Sequence, residues 1–261
     1  MTAIAVVSAP WGVLMAADGR MMLDDASRAT APASVLSRET DNAQKIFRII
    51  DPRRVIAYAL AGAVTSEDHP RFDLRTEFQC HASALSTQDF HSAYEYTNAL
   101  VQLVAEGITA ARYFPTSQGF ERGLDGYPEG GRPIANAIFG GHFASSDFII
   151  KATFFHDYQV ARAQLEQRHD NYISGSSTIY NIMYDHRGNP KPNTALAKYI
   201  VDLPEHPSPE EAERFTVGYI EACCSPQGRE LDPDGCKGIG GHIQVAKVTP
   251  ADGFEWVIQP N

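Results

Sequence analysis

Basic residues are in short supply in this chain. Its 261 residues carry 22 Lys and Arg against 32 Asp and Glu, for a formal net charge of −10. No Lys/Arg run offers a surface that could track phosphates, which argues against a nucleic-acid partner. Cysteine is sparse as well. Cys80, Cys223, Cys224 and Cys236 are the only four, two of them adjacent, and none forms a C-x-x-C pair. That argues against a zinc framework and a disulfide scaffold, and it fits a reducing, cytoplasmic compartment. Nine histidines are scattered without HxH or HExxH spacing, so no metal centre is expected. No GxxxxGK[ST] loop occurs; no cofactor is expected, and ATP-driven work would need a separate ATPase. No segment approaches the roughly 18 consecutive apolar residues of a membrane span. Residues 2–17 are almost uncharged, but no Lys or Arg precedes Arg20 and Pro10-Trp11-Gly12 interrupts the run. They read as buried strands, not as a signal peptide.

What is present is ordinary globular composition, 43% hydrophobic and 21% charged. A chain this long buries about 70–75% of its unfolded surface and needs no staple to hold a core. Ile4–Ser8 and Gly12–Asp18 predict a hairpin buried on both faces, because neither run alternates with polar residues. Lys45–Ile50 and Val55–Ala61 predict two more strands around Asp51-Pro52. Phe90, Ala93, Thr97, Leu100, Val101, Val104 and Ile108 share a helical face, with Ser86 and Asp89 read as its cap. Ile134–Gly140 and Phe148–Phe155 predict strands, a helix is expected from about Thr178, and Asn193–Val201 reads as helical. Ser208-Pro209-Glu210-Glu211 is a helix start with a capping box. Ile243–Val248 and Phe254–Ile258 close the chain as a hairpin. This order, with runs of strands followed by runs of helices, predicts an α+β fold. Strands buried on both faces are satisfied by a four-layer αββα sandwich. One domain over residues 1–261 is expected, with surface insertions near 24–42 and 113–133.

Three residues at the front of the chain suggest chemistry. A small residue at position 2 permits removal of Met1, which would place an α-amine and a hydroxyl together on Thr2. A free α-amine titrates near 7.7–8.0, and it can activate the hydroxyl as a nucleophile. The hairpin returns Asp18 beside residue 2, where a carboxylate on a buried strand end needs a cation. Lysine is rare here: Lys45 is the only one before Lys151. Read singly, Thr2 is the second residue of a chain, Asp18 a turn cap and Lys45 a strand-end charge.

Thr2-Ala3-Ile4-Ala5-Val6, Gly12 through Arg20, Gln44-Lys45-Ile46 and Ala61-Gly62-Ala63 resemble the opening of proteasome β-type subunits, of bacterial HslV and of Anbu, which are N-terminal nucleophile (Ntn) hydrolases. The spacing from Thr2 to Asp18 and Arg20 matches that pattern without a gap. Ser174–Ser177 resembles the family's Gly-Ser-Gly segment, and Gly240-Gly241 its late strand entry. The resemblance implies an αββα fold and a threonine-type peptidase or amidohydrolase. Thr2 would be the nucleophile, with its own amine as base through a water. Lys45 would tune their pKa values and Asp18 would pair with Lys45. Gly62 N–H would bind the oxyanion, and Ser174, Ser176 and Arg20 would be accessory. Peptide or protein substrates and stacked homo-oligomeric rings are implied as well. The chain departs from the pattern late. Where the family has an Asp three residues before a Ser, this sequence has Cys236 and Ile239, and Asp232 or Asp234 would have to substitute. A non-catalytic ring subunit and a non-peptide amide hydrolase of the same class are the two alternatives.

Overall fold

The computed structural model describes residues 2–21, 40–51, 53–62, 65–66, 72–111, 132–144, 146–156, 159–169 and 171–261. The expected insertion at 24–42 therefore lies outside the described residues except for Thr40, Asp41 and Asn42. The loop expected at 113–133 lies outside them except for Arg132 and Pro133, which begin a strand.

The chain is a mixed α/β fold with two five-stranded antiparallel sheets. In the first sheet β1 (Ile4–Ala9) pairs with β2 (Gly12–Ala17) through a Pro10-Trp11 turn, and the order across the sheet is β10-β1-β2-β11-β12. Here β10 is Asn171–Ser174, β11 is Gln244–Thr249 and β12 is Gly253–Ile258. The second sheet runs β3-β4-β7-β8-β9, built from Ile46–Asp51, Arg54–Gly62, Arg132–Phe143, Ser146–His156 and Ala161–Arg168. Two short strands, β5 (Thr65–Ser66) and β6 (Phe72–Asp73), form a small ribbon.

The unbroken apolar runs are explained by where alternate side chains go. From β1 and β2, Ile4, Val6, Val13, Met15 and Ala17 enter a cluster shared with Ala57, Ala59, Ala61, Ile138 and Ile149 of the second sheet. Their neighbours Ala5, Val7, Leu14 and Ala16 enter a different cluster with Phe215, Tyr219 and Ile220. Those three lie on α4 (Pro209–Cys224), which packs on β1 and β2. The second sheet divides in the same way. Ile56, Tyr58, Leu60 and Phe139 meet Phe78 of α1 (Leu74–Leu85) and Leu100, Val104 and Ile108 of α2 (Ala93–Ala110). Strands covered on both faces have no polar face to alternate with.

Several expectations need correction. The cap of α2 is Ser92, whose Oγ accepts the Glu95 N–H at 3.1 Å. Ser86 instead ends α1, and Phe90 lies outside the helix. Helix α1 was not anticipated, although Leu74, Phe78, Ala82 and Leu85 recur at helical spacing. Strands β9 and β10 were not anticipated either. Asn193–Val201 forms only a short 3₁₀ turn at Ala197–Tyr199, because it carries no apolar stripe and only Leu196 is fully buried there. Helix α3 (Ser177–Met183) and α4 begin where expected. On α4, Ser208 and Glu211 exchange side-chain-to-backbone bonds at 3.2 and 2.8 Å. Two short helices follow, α5 (Pro226–Leu231) and α6 (Pro233–Cys236). Among the described residues no helix is long and apolar enough to cross a membrane, and no group of three metal-binding side chains gathers.

Candidate active site

The β1–β2 hairpin sets the first two groups side by side. Its register pairs Ile4 with Ala17, so Ala3 falls opposite Asp18. The Asp18 N–H bonds the Ala3 carbonyl at 3.1 Å, and the Ala3 N–H returns to Asp18 Oδ1 at 2.8 Å. Asp18 Oδ2 accepts from Gly240 N–H at 3.0 Å and from Arg20 N–H at 3.3 Å. The carboxylate is wholly buried, so three backbone donors replace its water.

Lys45 enters from the second sheet, one residue before β3. Its Nζ lies 3.5 Å from Asp18 Oδ1 and donates to Thr2 Oγ1 at 2.8 Å. Thr2 is 8% exposed and Lys45 7%. Burial lowers the Lys45 pKa from its ordinary 10.5, and the Asp18 charge opposes that shift. Burial likewise raises the Asp18 carboxyl above its ordinary value, against the pull of Lys45 and the three N–H donors. Each charge is costly in this pocket without the other.

Gly62 ends β4 at the same end of the second sheet, two residues past Leu60, whose N–H bonds the Lys45 carbonyl at 3.0 Å. Its φ is +99°, and a Cβ there would lie 2.7 Å from the Ile134 carbonyl oxygen. Only glycine fits this close approach. Arg20 sits beside the cluster rather than in it. Its Nε meets Asp41 Oδ1 at 2.7 Å, and its guanidinium lies against Gly240, where a Cβ would be 2.7 Å from Cζ.

The Ser/Gly segment flanks the N-terminal strand. Ser174 pairs with Ile4 in the β1–β10 ladder, and a Cβ on Gly175 would lie 3.1 Å from Ala3 Cα. Ser176 is buried, caps α3 through the Ile179 N–H at 3.0 Å, and donates its hydroxyl to Asp232 Oδ2. That bond holds the Asp232 carboxyl below its ordinary value. Asp232 thus meets Ser176, whereas Asp234 is an exposed residue of α6. Cys236 and Ile239 are buried in the apolar cluster under α4. Burial pushes the Cys236 thiol up, so it makes a poor acid–base group. A pocket of about 410 Å³ opens beside this segment, lined by Ser174, Ser176, Tyr180 and Tyr219 among others.

One polar contact was not read from the sequence. Gln244 of β11 is wholly buried and bonds the chain on either side of Gln44. Its signal was a carboxamide between Ile243 and Val245, in a strand whose other residues are mostly apolar.

No family model matches the chain, and no curated protein matches it in sequence. Among solved structures, a Gly-1 mutant of Anbu from Hyphomicrobium sp. strain MC1 is similar in fold. The TM-score is 0.52 at 12% identity, over 98% of this chain and 85% of that one. At that identity the likeness is one of fold alone: a mixed α/β chain similar to a proteasome-like protein.

Proposed function

We propose that this chain is an N-terminal threonine amidohydrolase, a proteasome-like peptidase subunit whose nucleophile is Thr2 after removal of Met1. The observation that carries this reading is the contact of Lys45 Nζ with Thr2 Oγ1 at 2.8 Å, within a pocket closed to water on the Asp18 side. A strand-end lysine with no task beyond charge would reach for solvent. This one gives up hydration to face a hydroxyl.

With Met1 gone, the α-amine of Thr2 would serve as base, and the neighbouring ammonium would favour both the neutral amine and the developing alkoxide. Oγ1 attacks the carbonyl carbon, a C–O bond forms, and the hydroxyl proton passes to the amine through a water. The Gly62 N–H is assigned to the tetrahedral oxyanion. Collapse breaks the C–N bond, and the amine returns its proton to the leaving nitrogen. Water then cleaves the ester by the same route in reverse. Asp18 keeps Lys45 charged and aimed. Ser176 and Asp232 are assigned to the accessory proton path, with Ser174 and Arg20 framing it. We also infer that the two sheets and their outer helices form one four-layer αββα sandwich. Peptide or protein substrates and assembly into a homo-oligomeric ring belong to the same proposal.

The second reading, a non-catalytic ring subunit, is favoured by Cys236 and Ile239, which bring packing groups where the resemblance calls for Asp and Ser. Wild type and Thr2→Ala compared on fluorogenic peptides and simple amides separate the two. Hydrolysis lost in Thr2→Ala supports the peptidase if peptides are cleaved, and the non-peptide amidohydrolase if only simple amides are. Equal behaviour of the two proteins on every substrate supports the scaffold.

A further inference from the structure

We infer that Gln244 is the residue that positions Lys45 against Thr2, an inference that rests on the reading of Thr2 as nucleophile. Lys45 is held at two places. Asp18 holds its ammonium, but a long side chain aims correctly only if its backbone is fixed as well. On one side the Lys45 carbonyl accepts from Leu60 N–H at 3.0 Å, which ties it to the second sheet. On the other side its N–H donates to Gln244 Oε1 at 3.0 Å, and Gln244 Nε2 donates to the Ala43 carbonyl. One carboxamide therefore takes the N–H of residue 45 and the C=O of residue 43. That bracket around residue 44 is the pattern a neighbouring parallel strand would make. Gln244 belongs to the first sheet, opposite Ala17, the residue before Asp18. The side chain is thus a rung between the sheets, and it joins the segment carrying Lys45 to the strand that ends at Asp18.

The Gln244 side chain is fully buried and so is its bond to the Lys45 N–H, so losing it leaves that N–H without a partner in a closed pocket. Its loss leaves the Lys45 N–H side of the backbone unheld, although the Ala43 N–H keeps the Gly19 carbonyl and the Lys45 carbonyl keeps Leu60, and Nζ shifts from Oγ1. A displacement of about 1 Å at a reacting group costs on the order of 10²-fold in rate. The titratable groups whose charge acts on Lys45 are Asp18, which it pairs with, and Arg20 and Cys224, together with the Thr2 amine once it is freed. A shift of Lys45 among them changes its charge balance as well as its aim.

The test is labelling of the full chain by a tripeptide epoxyketone in wild type, Gln244→Leu and Gln244→Asn. Leu fills the space without polar atoms. Asn keeps the amide but is one methylene too short to hold both partners, and it guards against a Leu variant that fails to fold. In each folded variant the saturating labelling rate should fall on the order of 10²-fold. The half-saturating concentration should hold, and the alkaline limb of the pH profile should move. A role in stability alone would lower the melting temperature and leave rate and pH limb in place, and that result overturns the inference. Wild type that is not labelled at all overturns the Thr2 reading itself, which is a separate outcome.

Discussion

Replacing Lys45 by Met removes the ammonium and keeps most of the side-chain volume. In the wild type that ammonium donates to Thr2 Oγ1 at 2.8 Å and lies 3.5 Å from Asp18. Two costs follow, and they can be measured separately. The first is on rate. Losing one fixed donor at a developing charge typically costs about 2.7–4 kcal/mol, so labelling or hydrolysis should fall about 10²–10³-fold. The second is on stability. Breaking a buried pair costs about 3–5 kcal/mol when the remaining charge has no other partner. Asp18 keeps its three backbone donors, and burial already raises its pKa, so it can also take up a proton. The expected loss is therefore at the low end, about 3 kcal/mol. Urea unfolding reads the stability, and saturating label kinetics on the folded variant read the rate. A folded Lys45→Met protein that reacts at the wild-type rate would refute the reasoning.

Four further outcomes are expected. Asp18→Asn combined with Lys45→Met should cost less than the sum of the single changes, with a coupling of about 0.5–3 kcal/mol by urea unfolding, because neither charge is then left alone. Activity should decline as pH rises through the lowered pKa of Lys45, hence below the 10.5 of an ordinary lysine, because the ammonium is present below that pKa and lost above it. A pH–rate profile checks this, and an alkaline limb at or above 10.5 contradicts it. Gly62→Ala should depress labelling strongly, since the new methyl would lie 2.7 Å from the Ile134 carbonyl oxygen and push the strand end aside. Ser208→Ala removes half of the α4 capping box and should cost about 0.5–2 kcal/mol in thermal or urea unfolding, with the labelling rate unchanged.

The β1–β2 hairpin, strands β3, β4, β7 and β8, and α4 are legible in the sequence because each rests on local chemistry: apolar runs, a Pro/Gly turn and a Ser-Pro-Glu-Glu start. Asp18 was legible as a neighbour of residue 2 because a hairpin with a short turn sets its own register. Lys45 was suggested by scarcity, since no other lysine is near in the chain. What was not legible depends on the packing of the two sheets. Gln244 meets the Lys45 N–H across 199 positions of sequence, and no local pattern carries that contact. For the late acidic residue the sequence leaves Asp232 and Asp234 as alternatives, and only the placement of the short helices α5 and α6 brings Asp232 to Ser176. The Ser86–Asp89 spacing imitated a cap because the true cap, Ser92 with Glu95, follows six residues later with the same logic. Helix α1 carried a usable stripe in Leu74, Phe78, Ala82 and Leu85.

The central claim is that the hydroxyl beside Lys45 belongs to a free amino-terminal threonine. Mass spectrometry of the purified full chain, before and after reaction with an epoxyketone, tests it most directly. The account predicts a chain that begins at Thr2 and carries a single adduct on that residue. A chain that keeps Met1, or a freed Thr2 that takes no adduct, contradicts it.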